Sequence, residues 1–131
     1  MARALEHSFA GIIALARARL RQVEVDEESD SDRATLTIAG RFDRYRVFIK
    51  ETVSPLHRRY AFYLLLDDRV MLGLDNHPDR SALRLKYGED FAAHIHDLIP
   101  HRHGLDKITL GLTEEWTAYR FLNELDDLVP Q

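Results

Sequence analysis

The sequence predicts an α+β fold, an antiparallel β-meander of about five strands packed with an N-terminal and a C-terminal helix. Three features point to it. Apolar residues recur at helical spacing over residues 5–20, alternate between residues 23 and 75, and return to helical spacing after residue 113. The alternating runs are joined by short turn signals, as in a meander. A length of 131 residues fits a single domain, 1–131, able to bury a core without covalent staples.

The first helix presents Leu5, Phe9, Ile12, Ile13, Ala16 and Leu20 on one face. Arg17, Arg19 and Arg21 follow near its end, where the helix dipole favours cations. Val23 and Val25 begin a short strand, and the acidic run over residues 26–32 is expected as a loop. Residues 35–38 alternate and are rich in β-branched residues, so they read as a strand that turns at Ala39-Gly40-Arg41. Residues 42–53 form a long strand with Tyr45, Val47, Ile49 and Val53 on one face and Arg44, Arg46, Phe48 and Lys50 on the other. Ser54-Pro55 ends it. Residues 58–67 follow with Tyr60, Phe62, Leu64 and Leu66 inward, while Ala61, Tyr63 and Leu65 make a second covered face of a central strand. After Asp67-Asp68-Arg69 the chain returns through Val70, Leu72 and Leu74, with Met71, Gly73 and Asp75 on the opposite face. Gly73 leaves room there for a second chain segment to approach.

Beyond Pro78 the pattern changes. Residues 82–87 alternate like a strand, residues 89–99 fit a helix stopped by Pro100, and residues 100–106 read as a loop. Ile108, Leu110 and Leu112 suggest a short edge strand. Thr113 is placed to cap a last helix whose apolar face is Trp116, Tyr119, Leu122, Leu125 and Leu128.

Composition narrows the chemistry. There is no cysteine, which excludes disulfides and thiolate metal sites and leaves histidine and carboxylate as metal ligands. No apolar run approaches the roughly 20 residues that span a bilayer, and the charged start is unlike a signal peptide, so a cytoplasmic protein without membrane association is expected. Net charge is −4, but residues 24–32 carry acidic residues and no positive charge whereas residues 41–59 are mainly basic. That basic face suits a polyanion or serves as a solvated strand surface.

Five of the seven histidines fall within residues 75–104. His94 and His96 sit on the expected helix, where residues two apart point about 200° apart and cannot share a ligand. His101 and His103 follow a proline in extended chain, where residues two apart point the same way and can converge. Asp75, Asn76 and His77 lie at a strand end, a common place for catalytic side chains, though Asp and Asn also favour turns. Histidines near neutral pKa can act as base and acid on a ribose hydroxyl and a leaving oxygen, with Arg102, Arg80 or Lys86 stabilising the phosphate. Arg58, Arg59 and Tyr60 begin the strand paired with residues 70–76 and form another candidate phosphate site. Phosphate-binding glycine loops, nucleophile elbows and zinc-protease motifs are absent from the sequence.

The order Tyr45-Arg46-Val47, Arg59-Tyr60-Ala61-Phe62-Tyr63, Asp75-Asn76-His77-Pro78 and Pro100-His101-Arg102-His103-Gly104 before a terminal helix resembles the TumE-type toxin family of bacterial and archaeal toxin–antitoxin modules. Its members carry an Asp-Asn-x-x-His-His-Pro-like segment and a Pro-His-His-Lys-His-like segment at the corresponding places. Here His77 stands alone where the family has two histidines, Arg102 replaces a histidine, and the intervening segment is longer. The resemblance implies a small ribonuclease toxin paired with a helix-turn-helix antitoxin, with Asp75, Asn76, His77, His101 and His103 as site residues and Arg102 as the cation.

The leading expectation is therefore a metal-independent endoribonuclease in which His77, His101 and His103 move protons, Asp75 orients a histidine, and Arg102 meets phosphate. One alternative makes the same residues a divalent-metal site, with His101, His103 and Asp75 or His77 as ligands of a hydrolase. Another is a non-catalytic module that binds a protein through Arg44, Arg46 or an open sheet edge. RNA is the expected substrate, and homodimerisation is left open.

Overall fold

The computed structural model describes residues 2–129, and the side chains of residues 9–129. Helix α1 (Ala2–Arg19) leads into a seven-stranded antiparallel sheet whose spatial order follows the chain. Its strands are β1 (Arg21–Ser29), β2 (Ala34–Phe42), β3 (Tyr45–Val53), β4 (Arg58–Leu66), β5 (Arg69–Asp75), β6 (His101–His103) and β7 (Leu110–Leu112). Helix α2 (Arg80–Tyr87) lies between β5 and β6, and the chain ends in α3 (Ala118–Asn123) and α4 (Leu125–Leu128). The α+β class holds, with seven strands where about five were expected.

The core fills one face of the sheet. Phe9, Ile12 and Ala16 of α1, with Leu20 just after it, pack with Leu36, Ile38, Tyr45, Val47, Ile49, Tyr60, Phe62 and Leu64 from β2 to β4, and with Phe121, Leu122 and Leu125 behind them. Leu5, expected on the same helix face, lies outside the described side chains. Phe62 stacks on Phe121 at a centroid distance of 5.3 Å. Arg19 Nε donates to the Leu122 carbonyl at 3.0 Å, joining α1 to α3.

Several boundaries differ from the sequence reading. The acidic residues expected as a loop extend β1 to Ser29, because β1 is an edge strand whose charged side chains stay in solvent. Ala39-Gly40-Arg41 lies inside β2 rather than at a turn. Gly40 is there for packing, since a Cβ would come 3.0 Å from the Leu20 side chain. The turn falls instead at Asp43–Arg44, closed by the Phe42–Tyr45 pair, with Asp43 at φ 54°. An irregularity opposite Leu64–Leu65 leaves Met71 unpaired. It places Met71 against the core and sends Val70 to the Leu65 face, reversing their expected sides.

Residues 82–87 are helical, not extended. The Asp79 carboxylate accepts from the Ala82 N–H at 2.9 Å, and Gly88, at φ 61°, ends the helix by donating to the Arg84 carbonyl. The helix expected over residues 89–99 is only a 3₁₀ segment, Gly88–His94. Ala92 and Ile95 of its expected face are exposed, so little burial is available to support a long helix. The last helix starts at Ala118 with Thr117, not Thr113, as its cap; the Thr117 Oγ1 accepts from the Arg120 N–H. Phe121 rather than Tyr119 is fully buried there, and Tyr119 lies over Gly11.

Among the described residues no helix lies on the other sheet face over β2 to β4. Only at the β6–β7 end does α2 cover it, packing Ala82 and Leu83 against Ile99 and Leu110. The border between open face and covered end falls at Asp75 and β6. Among the described residues no helix is long and apolar enough to cross a membrane.

Candidate functional site

Strand register builds the site. Asp75 on β5 pairs with His101 on β6, and Gly73 pairs with His103. Paired residues share a sheet face, as do residues two apart on one strand, so Asp75, His101 and His103 all project to the open face. What the sequence suggests as a loop is thus a three-residue strand, and the two histidine-bearing segments do meet.

The contacts are close. Asp75 Oδ1 lies 3.1 Å from His101 Nε2, and Asp75 Oδ2 lies 3.4 Å from His103 Nε2. The two Nε2 atoms are 3.1 Å apart, with the rings edge to face. His101 Nδ1 donates to the Ile99 carbonyl at 2.6 Å, which assigns the ring hydrogen to that nitrogen. Tyr63 donates its hydroxyl to Asp75 Oδ2 at 3.2 Å, and the His77 backbone N–H donates to Oδ1 at 3.0 Å. His103 Nδ1 is buried without a hydrogen-bond partner. All three residues are buried, His101 almost completely.

Burial pushes the Asp75 carboxyl up, but the hydrogen bond and charge of His101, the His77 N–H and the charge of His103 outweigh it and hold the group below the usual range. Burial pushes His101 down, yet Asp75 and the Ile99 carbonyl bring it above an ordinary imidazole. His103 is depressed by burial and by the neighbouring His101 charge. Asp75 and His101 therefore each favour the charged form of the other, while His103 beside them is shifted toward its neutral form.

A cavity of about 280 Å³ opens over the cluster, bounded by Tyr63, His77, Asp79 and Lys107. His77 is at its rim and exposed. Partial desolvation at the cavity wall lowers its pKa, opposed by Asp75 and reinforced by the charges of Arg59, His101 and Lys50. Lys107 sits over the Tyr63 ring, 5.0 Å from its centroid.

The remaining expected residues lie elsewhere. Asn76 is buried and structural: its Oδ1 accepts from the Tyr60 N–H at 2.9 Å, its Nδ2 donates to the Arg58 carbonyl at 2.8 Å, and its carbonyl accepts from the Ile99 N–H. It thereby ties β4 to the entry of β6. Arg102 alternates to the opposite face from the histidines and does not reach the cavity. Arg58 is engaged by Glu51, Glu115 and the Trp116 carbonyl, and the Tyr60 hydroxyl accepts from the Trp116 N–H, so both hold the C-terminal segment on the core side. Arg59 alone of that trio is exposed on the open face. Arg80 and Lys86 do not line the cavity, and Lys86 Nζ lies over Tyr87. His94 stacks on Tyr87 and pairs with Asp97, while His96 faces a separate depression. Arg46 pairs with Asp68, and Arg44 lies over the Tyr45 ring.

Tyr63, Lys50 and Lys107 were not singled out from the sequence as site residues. The alternation along β3 and β4 puts Lys50 and Tyr63 on the Asp75 face, so strand parity carried the signal for those two. Lys107 arrives through an irregular 3₁₀ turn that no periodicity announces.

Compared with known proteins, the chain matches no family model, no curated protein and no solved structure.

Proposed function

We propose that the protein cleaves RNA phosphodiester bonds, acting as the toxin of a module whose partner is a helix-turn-helix antitoxin. The observation that carries the chemistry is the buried Asp75–His101–His103 cluster opening into a cavity on the cation-bearing sheet face. The biological setting rests on the resemblance in the histidine-bearing segments.

The geometry favours a particular division of labour. In-line displacement at phosphorus puts the attacking and leaving oxygens on opposite sides, so an acid and a base must flank the phosphate. His101 and His103, with Nε2 atoms 3.1 Å apart, are too close to do so. They form one centre with Asp75, directed at a phosphoryl oxygen. His77, exposed at the rim, takes the proton of the attacking 2′-hydroxyl, and water entering the open side of the cavity gives a proton to the leaving oxygen. Lys107 takes the phosphate position first expected of Arg102. Lys50, Arg59 and the ring of Phe48 extend the same face away from the cavity, offering backbone charge pairing and a stacking surface for an unpaired strand.

The test is cleavage of a fluorescent single-stranded RNA by wild type, His77→Ala and Asp75→Asn. Loss of about 100-fold or more in rate is expected for His77→Ala, the range of one general acid–base group. Equal cleavage by wild type and both variants would remove this site from the reaction.

A further inference from the structure

We infer that Asp75, His101 and His103 bind one divalent first-row transition cation, with zinc and manganese as the matching chemistry. The inference deepens the cleavage reading and rests on it for the cation's role, though not for its binding. Four ligand atoms of three residues, two imidazole nitrogens and both oxygens of one carboxylate, converge at the spacing such an ion accepts. Ligand bonds of about 2.0–2.2 Å at angles between octahedral and tetrahedral separate neighbouring ligand atoms by about 3.0–3.5 Å. The two Nε2 atoms are 3.1 Å apart, each lies 3.1 or 3.4 Å from the carboxylate oxygen nearer to it, and one ligand atom from each residue fits within 4.8 Å of the others. The carboxylate turns one oxygen to each ring.

The imidazoles are also presented in the right tautomer. His101 spends its Nδ1 hydrogen on the Ile99 carbonyl, leaving Nε2 as the atom directed at the centre. A backbone carbonyl holding the far nitrogen is the usual support of a ligating histidine. His103 directs the same Nε2 inward and keeps Nδ1 on the buried side. Among the described residues this is the group of three whose ligand atoms lie within 4.8 Å of one another. Two nitrogens and a carboxylate suit zinc, manganese or iron better than magnesium or calcium, which prefer oxygen throughout. The cavity leaves the side facing Lys107 and His77 open, as a catalytic rather than a closed structural site requires. A cation there would polarise a phosphoryl oxygen.

The experiment uses the full chain, free of any affinity tag, stripped with EDTA and titrated calorimetrically with zinc chloride and, separately, magnesium chloride. One zinc per chain is expected, with little heat from magnesium. His103→Gln and Asp75→Asn, shown folded by circular dichroism, should weaken zinc by about 100-fold or more. Wild type gives a second readout that needs no variant. Long-range proton–nitrogen NMR should show zinc moving Nε2 of His101 and His103 while both Nδ1 atoms stay protonated and His94 and His96 do not respond. No zinc binding, magnesium binding without zinc, undiminished binding in folded His103→Gln, or unmoved His101 and His103 signals each overturn the site. Zinc binding without RNA cleavage supports the site and removes the cleavage reading. Cleavage in EDTA by a chain that binds no zinc removes the site and keeps the cleavage reading.

Discussion

Asp75 depends on a residue with no side chain. A Cβ at Gly73 would come 2.4 Å from Tyr63 Cε1 and 2.9 Å from Cδ1. The glycine therefore lets the Tyr63 ring lie across β5, where its hydroxyl reaches Asp75 Oδ2. The space expected at Gly73 for a second chain segment is filled by the Tyr63 ring. Gly73→Ala should push the half-buried ring toward solvent, costing about 1 kcal/mol in overpacking and breaking the Tyr63–Asp75 hydrogen bond. Tyr63→Phe breaks the same bond without the clash. Thermal denaturation should therefore show Gly73→Ala less stable than Tyr63→Phe, while both raise the Asp75 pKa measured by carboxyl NMR titration. An unshifted Asp75 in both variants would show that the hydroxyl does not support the carboxylate.

At the scale of elements, legibility followed burial. Strands β3 and β4 alternate buried positions with exposed or half-buried ones over most of their length, so their faces, and with them the direction of Asp75, could be read directly. The β6 strand could not. It is three residues long, too short for a period, and only its pairing with β5 makes it a strand. In segment 82–87 the alternation of Leu83, Leu85 and Tyr87 points to a strand, yet only Ala82 and Leu83 are buried. The capping chemistry of Asp79 and Gly88 was the better guide, and it outweighed a weak two-residue period. Helix α2 has eight residues, too few to stand alone, so its cap and its packing against Ile99 and Leu110 must hold it. Asp79→Ala should cost about 1 kcal/mol and loosen the wall of the cavity. Hydrogen exchange offers a local check: the Ala82 amide, which donates to Asp79, should exchange faster in the variant while amides in β3 and β4 keep their protection. Global loss of protection would mean that α2 is coupled to the whole fold rather than docked on it.

Across the whole molecule, charge is sorted by strand. The net charge of −4 argues against general affinity for a polyanion, but the register separates the signs. One row of the open face runs Asp26, Thr37, Lys50, Ala61, Asp75, His101 from β1 to β6. Glu24, Asp26 and Glu28 occupy that face of the β1 edge, while Lys50 and Arg59 stand in the middle and Lys107 at the cavity. With strands about 4.8 Å apart, β1 lies about 10 Å from Lys50 and about 19 Å from Asp75. The Debye length at physiological salt is about 8 Å, so the acidic edge is largely screened from a strand lying over β3 to β5. It instead limits how far an RNA chain can extend across the sheet. Binding through Lys50, Arg59 and Lys107 should give a slope of log K against log salt of about −2, at about −0.7 for each phosphate neutralised on a single strand. The Lys50→Ala, Arg59→Ala double variant should flatten that slope by about 1.4. Arg102→Ala, on the far face, should leave it unchanged. Fluorescence anisotropy with a short labelled RNA, read between low and physiological salt with Asp75→Asn as the background to prevent cleavage, measures all three slopes. A slope altered by Arg102→Ala but not by the double variant would move the RNA path to the core side of the sheet and away from His77 and Lys107.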